Sequence, residues 1–133
     1  MLNLSTPTTL LQAVTGSAVS SVAVHASFVD LGIATGSVVP GSKNTLIAAS
    51  ATTVIVPPPA AGIDRNVKFL SVNNASPSPC AVTIQVTDGA VAVDLFSVVL
   101  PSTWTIQYNS DGSGFVLYDG GGSIQTSLSV STV

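Results

Sequence analysis

Residues 81–100 read AVTIQVTDGAVAVDLFSVVL, and this stretch decides the fold class. Val82, Ile84 and Val86 alternate strictly with Thr83, Gln85 and Thr87, the two-residue period of a strand with one buried face. Asp88-Gly89 is the strongest turn signal in the chain, because glycine accepts the positive φ angle of a tight reversal. Residues 91–100 then read as a second strand with Phe96, Val98 and Leu100 inward, stopped by Pro101, which has no amide to lend to a ladder.

The same punctuation runs outward in both directions. Val22, Val24, Ala26 and Phe28 fall on one side of a strand, with His25, Ser27 and Val29 on the other. Residues 32–42 read mainly as loop. Residues 45–49 and 52–56 read as two strands or one long bent strand, ended by Pro57, Pro58 and Pro59, after which PPPAAG is expected to project as a rigid excursion. Residues 65–73 resume as a strand with Val67, Phe69 and Ser71 opposite Lys68, Leu70 and Val72. NASPSP at 74–79 reads as a hairpin-type connection. Trp104, Ile106 and Tyr108 alternate on a further strand, joined through SDGSG at 110–114 to residues 115–118. Residues 10–14 fit either a brief helical turn or the first strand. Gly120, Gly121 and Gly122 read as a flexible joint before a tail in which Ile124, Leu128 and Val130 share a face with Thr126. That tail either completes its own sheet or adds a strand to a neighbouring subunit.

Short strands with frequent turns and few helix formers predict an all-β chain, a single β-sandwich of jelly-roll or immunoglobulin-like topology with extended termini; a closed barrel is the alternative. The expected division is an N-terminal segment, 1–20, contacting a partner, a sandwich over 21–119 and a glycine-hinged strand or tail over 120–133. Phe69, Ile84, Phe96, Trp104 and Ile106 are the expected core. At 133 residues the chain is long enough for one apolar core.

Charge is the compositional anomaly. Only 7% of residues are charged, there is no Glu, and mean hydropathy is +0.61. A free soluble domain carries about a quarter of its residues as charge, so the balance favours an assembly subunit whose surface is covered by partners. Lys43, Arg65 and Lys68 are too few and too scattered to hold phosphates, and nucleic acid is not an expected partner. No run reaches the ~18 apolar residues of a membrane helix, and the opening MLNLSTPTTLLQAVTG lacks the basic start of a signal peptide. Cys80 is alone and reads as a buried, inert thiol.

The chemistry-bearing residues are few. His25 is the single histidine, and no G-x-S-x-G frames a nucleophile, so no catalytic residue is assigned. A packed or rim histidine, paired with Asp30 at the strand end, is the expected role. One His and one Cys do not make a zinc site. Asp88, Asp111 and Asp119 lie near turns, where turn geometry explains them without a cation; no metal site and no cofactor is assigned. Asp64 and Arg65 are expected to pair locally. Trp104, Tyr108 and Tyr118, with the 110–114 loop, offer a sugar-stacking platform, although a Trp104 that fills the core is the plainer reading.

HASFVD at 25–30, ATTVIV at 51–56, VPPPAAGIDRNVKFLSVNN at 56–74, VTIQV at 82–86 and DLFSVVLPSTWTIQYNSDGSGFVLYDGGG at 94–122 together resemble a group of small tailed-bacteriophage virion proteins. The shared features fall on His25, Ser27, Phe28 and Asp30, on Ala60, Ala61, Arg65, Val67 and Lys68, and on Asp111, Gly112, Gly114, Tyr118 and Asp119. Phe28 stands where tyrosine is usual in the group, and the polar loop before Cys80 is short. The resemblance implies a non-enzymatic virion protein, assembled in the bacterial host cytoplasm. Its expected role is a capsid decoration or cement protein that bridges major capsid subunits and associates with copies of itself as a trimer or other closed oligomer. The alternative is a tail-associated module binding a host surface glycan, or a baseplate or tail-tip component.

Overall fold

The computed structural model describes residues 2–125, and among them there is no helix. In chain order the strands are β1 (Leu2–Leu4), β2 (Leu10–Thr15), β3 (Val22–Gly32), β4 (Val38–Ile47), β5 (Thr52–Val56), β6 (Ile63–Asn74), β7 (Cys80–Thr87), β8 (Ala92–Leu100), β9 (Thr105–Asn109), β10 (Gly114–Tyr118) and β11 (Ile124–Gln125). They form two antiparallel sheets, an arrangement consistent with a β-sandwich. One sheet runs β11-β10-β9-β6-β3-β4, with β1 also on β6, and the other runs β5-β2-β7-β8. Only β3–β4, β7–β8, β9–β10 and β10–β11 are hairpins; every other connection changes sheet, so the chain ties the two layers together repeatedly.

The alternation read from the sequence builds the core. Val22, Val24, Ala26 and Phe28 of β3, with Leu70 and Val72 of β6 and Ile106 of β9, face Leu11 and Ala13 of β2, Val82 and Ile84 of β7 and Val98 and Leu100 of β8 in one apolar cluster. Each fully buried Val, Leu or Ile stabilises the fold by about 1.5–3 kcal/mol relative to an exposed one. Ile84 and Ile106 are fully buried as expected, whereas Phe96 and Trp104 are partly buried and pack on the cluster from its edge.

Phe69 is not in the core. Ser27 of β3 pairs with Phe69 but Phe28 pairs with Val67, so Lys68 is an extra residue, a β-bulge. The bulge reverses the facing of everything after it. Val67, Leu70 and Val72 are buried, while Phe69 turns out beside His25, ring centroids 6.3 Å apart. The bulge coincides with a change of partner on the other edge of β6, where β1 covers Arg65–Val67 and β9 covers Phe69–Asn73.

Several expectations for loops and termini are corrected. Most of residues 32–42 is strand, and the β3–β4 loop is confined to 33–37. Proline and glycine mislead there because β4 is an edge strand. Gly32 N–H donates to Ser37 C=O, which by antiparallel alternation turns the nitrogen of Pro40, opposite Val29, away from the sheet. Gly41 leaves room for the Phe28 ring, since a Cβ there would approach it to 2.6 Å. Residues 45–49 and 52–56 do not form one bent strand, because the chain changes sheet between β4 and β5. Nor does PPPAAG simply project: it is the β5–β6 crossover, and Pro59 is buried. The N-terminal segment is not outside the fold, for β2 is flanked by β5 and β7 with Leu11, Ala13 and Thr15 buried.

NASPSP is a corner between sheets and not a hairpin. Asn74 and Ser76 are buried there and fully engaged: Asn74 Nδ2 donates to the carbonyls of Leu100 and Ser78, and Asn74 Oδ1 accepts from Ser76 N–H. Ser76 Oγ accepts from Ser20 and Ser21 N–H and donates to Ser21 C=O. Such buried polar groups are tolerated because each finds its partners. Gly120–Gly122 lies in a hydrogen-bonded turn. Asp119 Oδ1 accepts from the amides of Gly121 and Ser123, closing a turn that brings β11 onto β10 of its own sheet. Thr126, Leu128 and Val130 of the expected tail strand lie outside the described residues.

Candidate functional site

The register of the larger sheet defines a broad outer face. Three rows cross β4, β3, β6, β9 and β10 in turn. The first is Leu46, Ala23, Asn73, Thr105 and Tyr118; the second Asn44, His25, Ser71, Gln107 and Val116; the third Ser42, Ser27, Phe69, Asn109 and Gly114. None of these fifteen positions carries a charge. Lys68 at the bulge and Asp64 lie beyond the third row.

Amides, hydroxyls and rings make up most of this face, with Leu46, Ala23, Val116 and Gly114 between them. His25 Nδ1 and Asn44 Oδ1 meet across β3 and β4 at 2.5 Å, and Asn73 Nδ2 donates to Thr105 Oγ1 at 2.9 Å. Between β4 and β6 lies a shallow hollow of about 500 Å³, walled by His25, Asn44, Leu46, Ser71 and Asn73. Leu46 is 67% exposed at its rim. Hydrogen bonding and apolar contact are what this surface offers.

The opposite outer face, on the four-stranded sheet, is nearly as poor in charge. Gln12 donates to Gln85 at 2.8 Å and Gln85 to Asp94 at 2.7 Å, a ladder across three strands, and the Thr83 and Ser97 hydroxyls meet at 2.8 Å. Asp94 is the charged member of that face.

The other charges lie off these rows: Lys43 and Lys68 are within β4 and β6, Asp88, Asp111 and Asp119 are at turns, and Asp30, Asp64 and Arg65 lie toward one end of β3 and β6. Arg65 does not pair with Asp64, nor His25 with Asp30. Arg65 and Asp30 are register partners on β6 and β3, and the guanidinium grips the carboxylate twice, Nε to Oδ1 at 2.7 Å and Nη2 to Oδ2 at 2.8 Å. Its Nη1 donates to Pro57 C=O at 2.8 Å, and its carbon lies 4.2 Å from the centroid of the Phe28 ring. Phe28, Asp30 and Arg65, three of the motif residues, are thus one structural clamp that holds the β5–β6 crossover over the core. Strand alternation alone sets Asp64 on the opposite side of β6 from Arg65.

Asp88, Asp111 and Asp119 each work inside a turn. Val91 N–H, then Ala90 N–H, hold the Asp88 carboxyl below its ordinary value; the Ser113 hydroxyl and amide do so for Asp111. For Asp119 the Ser123 amide is the main cause, with help from Gly121 and Gln125. Among the described residues no three His, Cys, Asp or Glu side chains gather as a metal site would require.

Tyr108 is withdrawn from the expected sugar platform. It is 4% exposed, its hydroxyl accepts from Leu2 N–H at 2.9 Å, and its ring packs against Phe115. Trp104 is partly buried against the core, and Tyr118, at the end of β10, pairs with Thr105 on the outer face. The Ser110–Gly114 loop is a hairpin turn, with Gly112 and Gly114 at positive φ. Ala60 and Ala61 are exposed on the β5–β6 crossover, and Val67 is core. Cys80 is buried as expected, and desolvation pushes its thiol above the ordinary value.

Sequence reading did not single out Asn44, Ser71, Asn73 or Gln107 as one surface. The period-two signal was there, but their relative placement depends on registers and on the Lys68 bulge. No family model, curated protein or solved structure matches the chain.

Proposed function

We propose that this is a non-enzymatic structural protein of a tailed-bacteriophage virion, a capsid decoration or cement protein that bridges major capsid subunits and associates with copies of itself. The observation that carries the reading is the distribution of charge. The fifteen-position outer face of the larger sheet has none, and the other face has Asp94 alone among its amides and hydroxyls. Covering such faces desolvates few ions, so contact with a partner keeps most of its apolar and hydrogen-bonding gain. The resemblance of residues 25–122 to virion proteins supplies the partner class. The same proposal takes the two sheets as a sandwich of jelly-roll or immunoglobulin-like kind, supported by the repeated changes of sheet.

Cryo-electron microscopy of the intact particle tests this. Hundreds of copies on the shell lattice are expected. A ring or cluster of few copies at the tail would replace decoration with a tail role, and absence from the particle would end the virion reading. The glycan-binding alternative loses the platform first expected for it, because Tyr108 is buried.

A further inference from the structure

We infer that the outer face of the larger sheet is a homotypic interface, and that its occupant is the same face of a second copy of this chain, related by a two-fold axis. A two-fold contact lays each patch against itself, residue i on j and j on i, so a patch whose charge is of one sign meets its like. The fifteen positions from β4 to β10 contain no charge at all. The other broad face contains Asp94, bound into the Gln12–Gln85 ladder, and would carry that carboxylate into the contact.

A self-complementary patch needs a hollow and something to fill it. The hollow of about 500 Å³ beside His25 and Asn44 supplies the first. Half-buried Phe69 supplies the second: the Lys68 bulge turns its ring to the outer face, beside His25, in the row below the hollow's His25 and Ser71. A two-fold axis between them places the Phe69 ring of each copy in the hollow of the other. Leu46, at the rim, adds apolar area.

The size suffices for association of moderate strength. Five strands cover roughly 24 Å and three outward rows roughly 20 Å, a footprint of roughly 500 Å² per copy. Two such footprints total roughly 1,000 Å², the lower bound for a specific interface.

The motive for a contact surface rests on the assembly reading above, but the test needs no shells, so a monomeric chain overturns the dimer while shell binding is decided separately by cosedimentation. Sedimentation equilibrium of the full chain from about 1 to 500 μM is expected to show a reversible dimer. Phe69→Lys and Leu46→Lys should each weaken it at least about tenfold, since each carries an unpaired ammonium into the uncharged hollow or rim of the other copy. Val99→Lys, on the opposite sheet, should leave it unchanged; circular dichroism confirms that each variant folds. A chain that stays monomeric throughout, or a dimer lost equally in Val99→Lys, overturns the inference. So does saturable binding of a neutral disaccharide panel to a monomer at His25 and Asn44, which would make the hollow a ligand site.

Discussion

Removing either partner of the Arg65–Asp30 clamp should cost far more than a surface ion pair, and the two losses should overlap. Their side chains are 13% and 22% exposed, and the carboxylate is gripped at 2.7 and 2.8 Å. Asp30→Ala leaves a largely buried guanidinium with only Pro57 C=O and the Phe28 ring. Breaking a buried pair costs about 3–5 kcal/mol, and the solvent still reaching Asp30 lowers that to about 2–3 kcal/mol. Arg65→Ala loses the same pair together with the carbonyl bond and the ring contact, about 3 kcal/mol. The double variant, with nothing left uncompensated, should lose little more than Arg65→Ala alone, a coupling of about 2 kcal/mol. Urea unfolding of the three variants measures this directly, and each single variant should melt about 10 °C below the parent. Single losses under about 0.5 kcal/mol, or a double loss equal to the sum, would show that the clamp behaves as a solvated pair and that the crossover is held by packing alone.

Three further outcomes follow from particular residues. Leu70→Ala should cost about 2–5 kcal/mol and Phe69→Ala under about 1 kcal/mol in the monomer, the reverse of what ring size suggests, and equal losses would place the bulge elsewhere. The Cys80 thiol, buried and raised by desolvation, should react with a disulfide reagent only on unfolding, so that its rate follows the urea transition; fast reaction in the native protein would contradict its burial. Asp119, held below its ordinary 3.8 chiefly by the Ser123 amide, adds stability that is present above about pH 4 and is lost as pH falls through its folded value. Asp119→Asn keeps the acceptor oxygen and should flatten the fall in melting temperature between pH 4 and pH 2; an unchanged slope would assign that acid sensitivity to other carboxylates.

How much of this was legible in the sequence depends on whether a feature is local. The β7–β8 hairpin was readable because period-two alternation and the Asp88-Gly89 turn are both written within one stretch. The β4 strand was not, because Pro40 and Gly41 break strands in general and are admitted here by context: an open edge for one, the neighbouring Phe28 ring for the other. The facing of Phe69 was lost for a similar reason. No residue around Lys68 signals a bulge, which arises where β1 gives way to β9 along β6. The Arg65–Asp30 pairing needed a register between strands 35 residues apart, whereas Asp64 was the neighbour in sequence. The outer face failed to emerge in the same way, for its rows are assembled from five strands.

The few charges also acquire a reason once their places are known. Asp88, Asp111 and Asp119 accept amide hydrogens within turns, Asp94 ends a glutamine ladder and Asp30 holds Arg65. Nearly every carboxylate therefore has a local structural task, and the larger sheet's outer rows have none to keep them wet. Their hydration rests on Ser, Thr, Asn and Gln, groups that are soluble alone and far cheaper to dehydrate than ions. A free domain gains solubility by scattering lysine and glutamate over such a face, and this chain has no glutamate and places its two lysines off the rows. An uncharged amide and hydroxyl face on a rigid sheet suits a surface that alternates between water and a partner. That property links the composition to the assembly role proposed here.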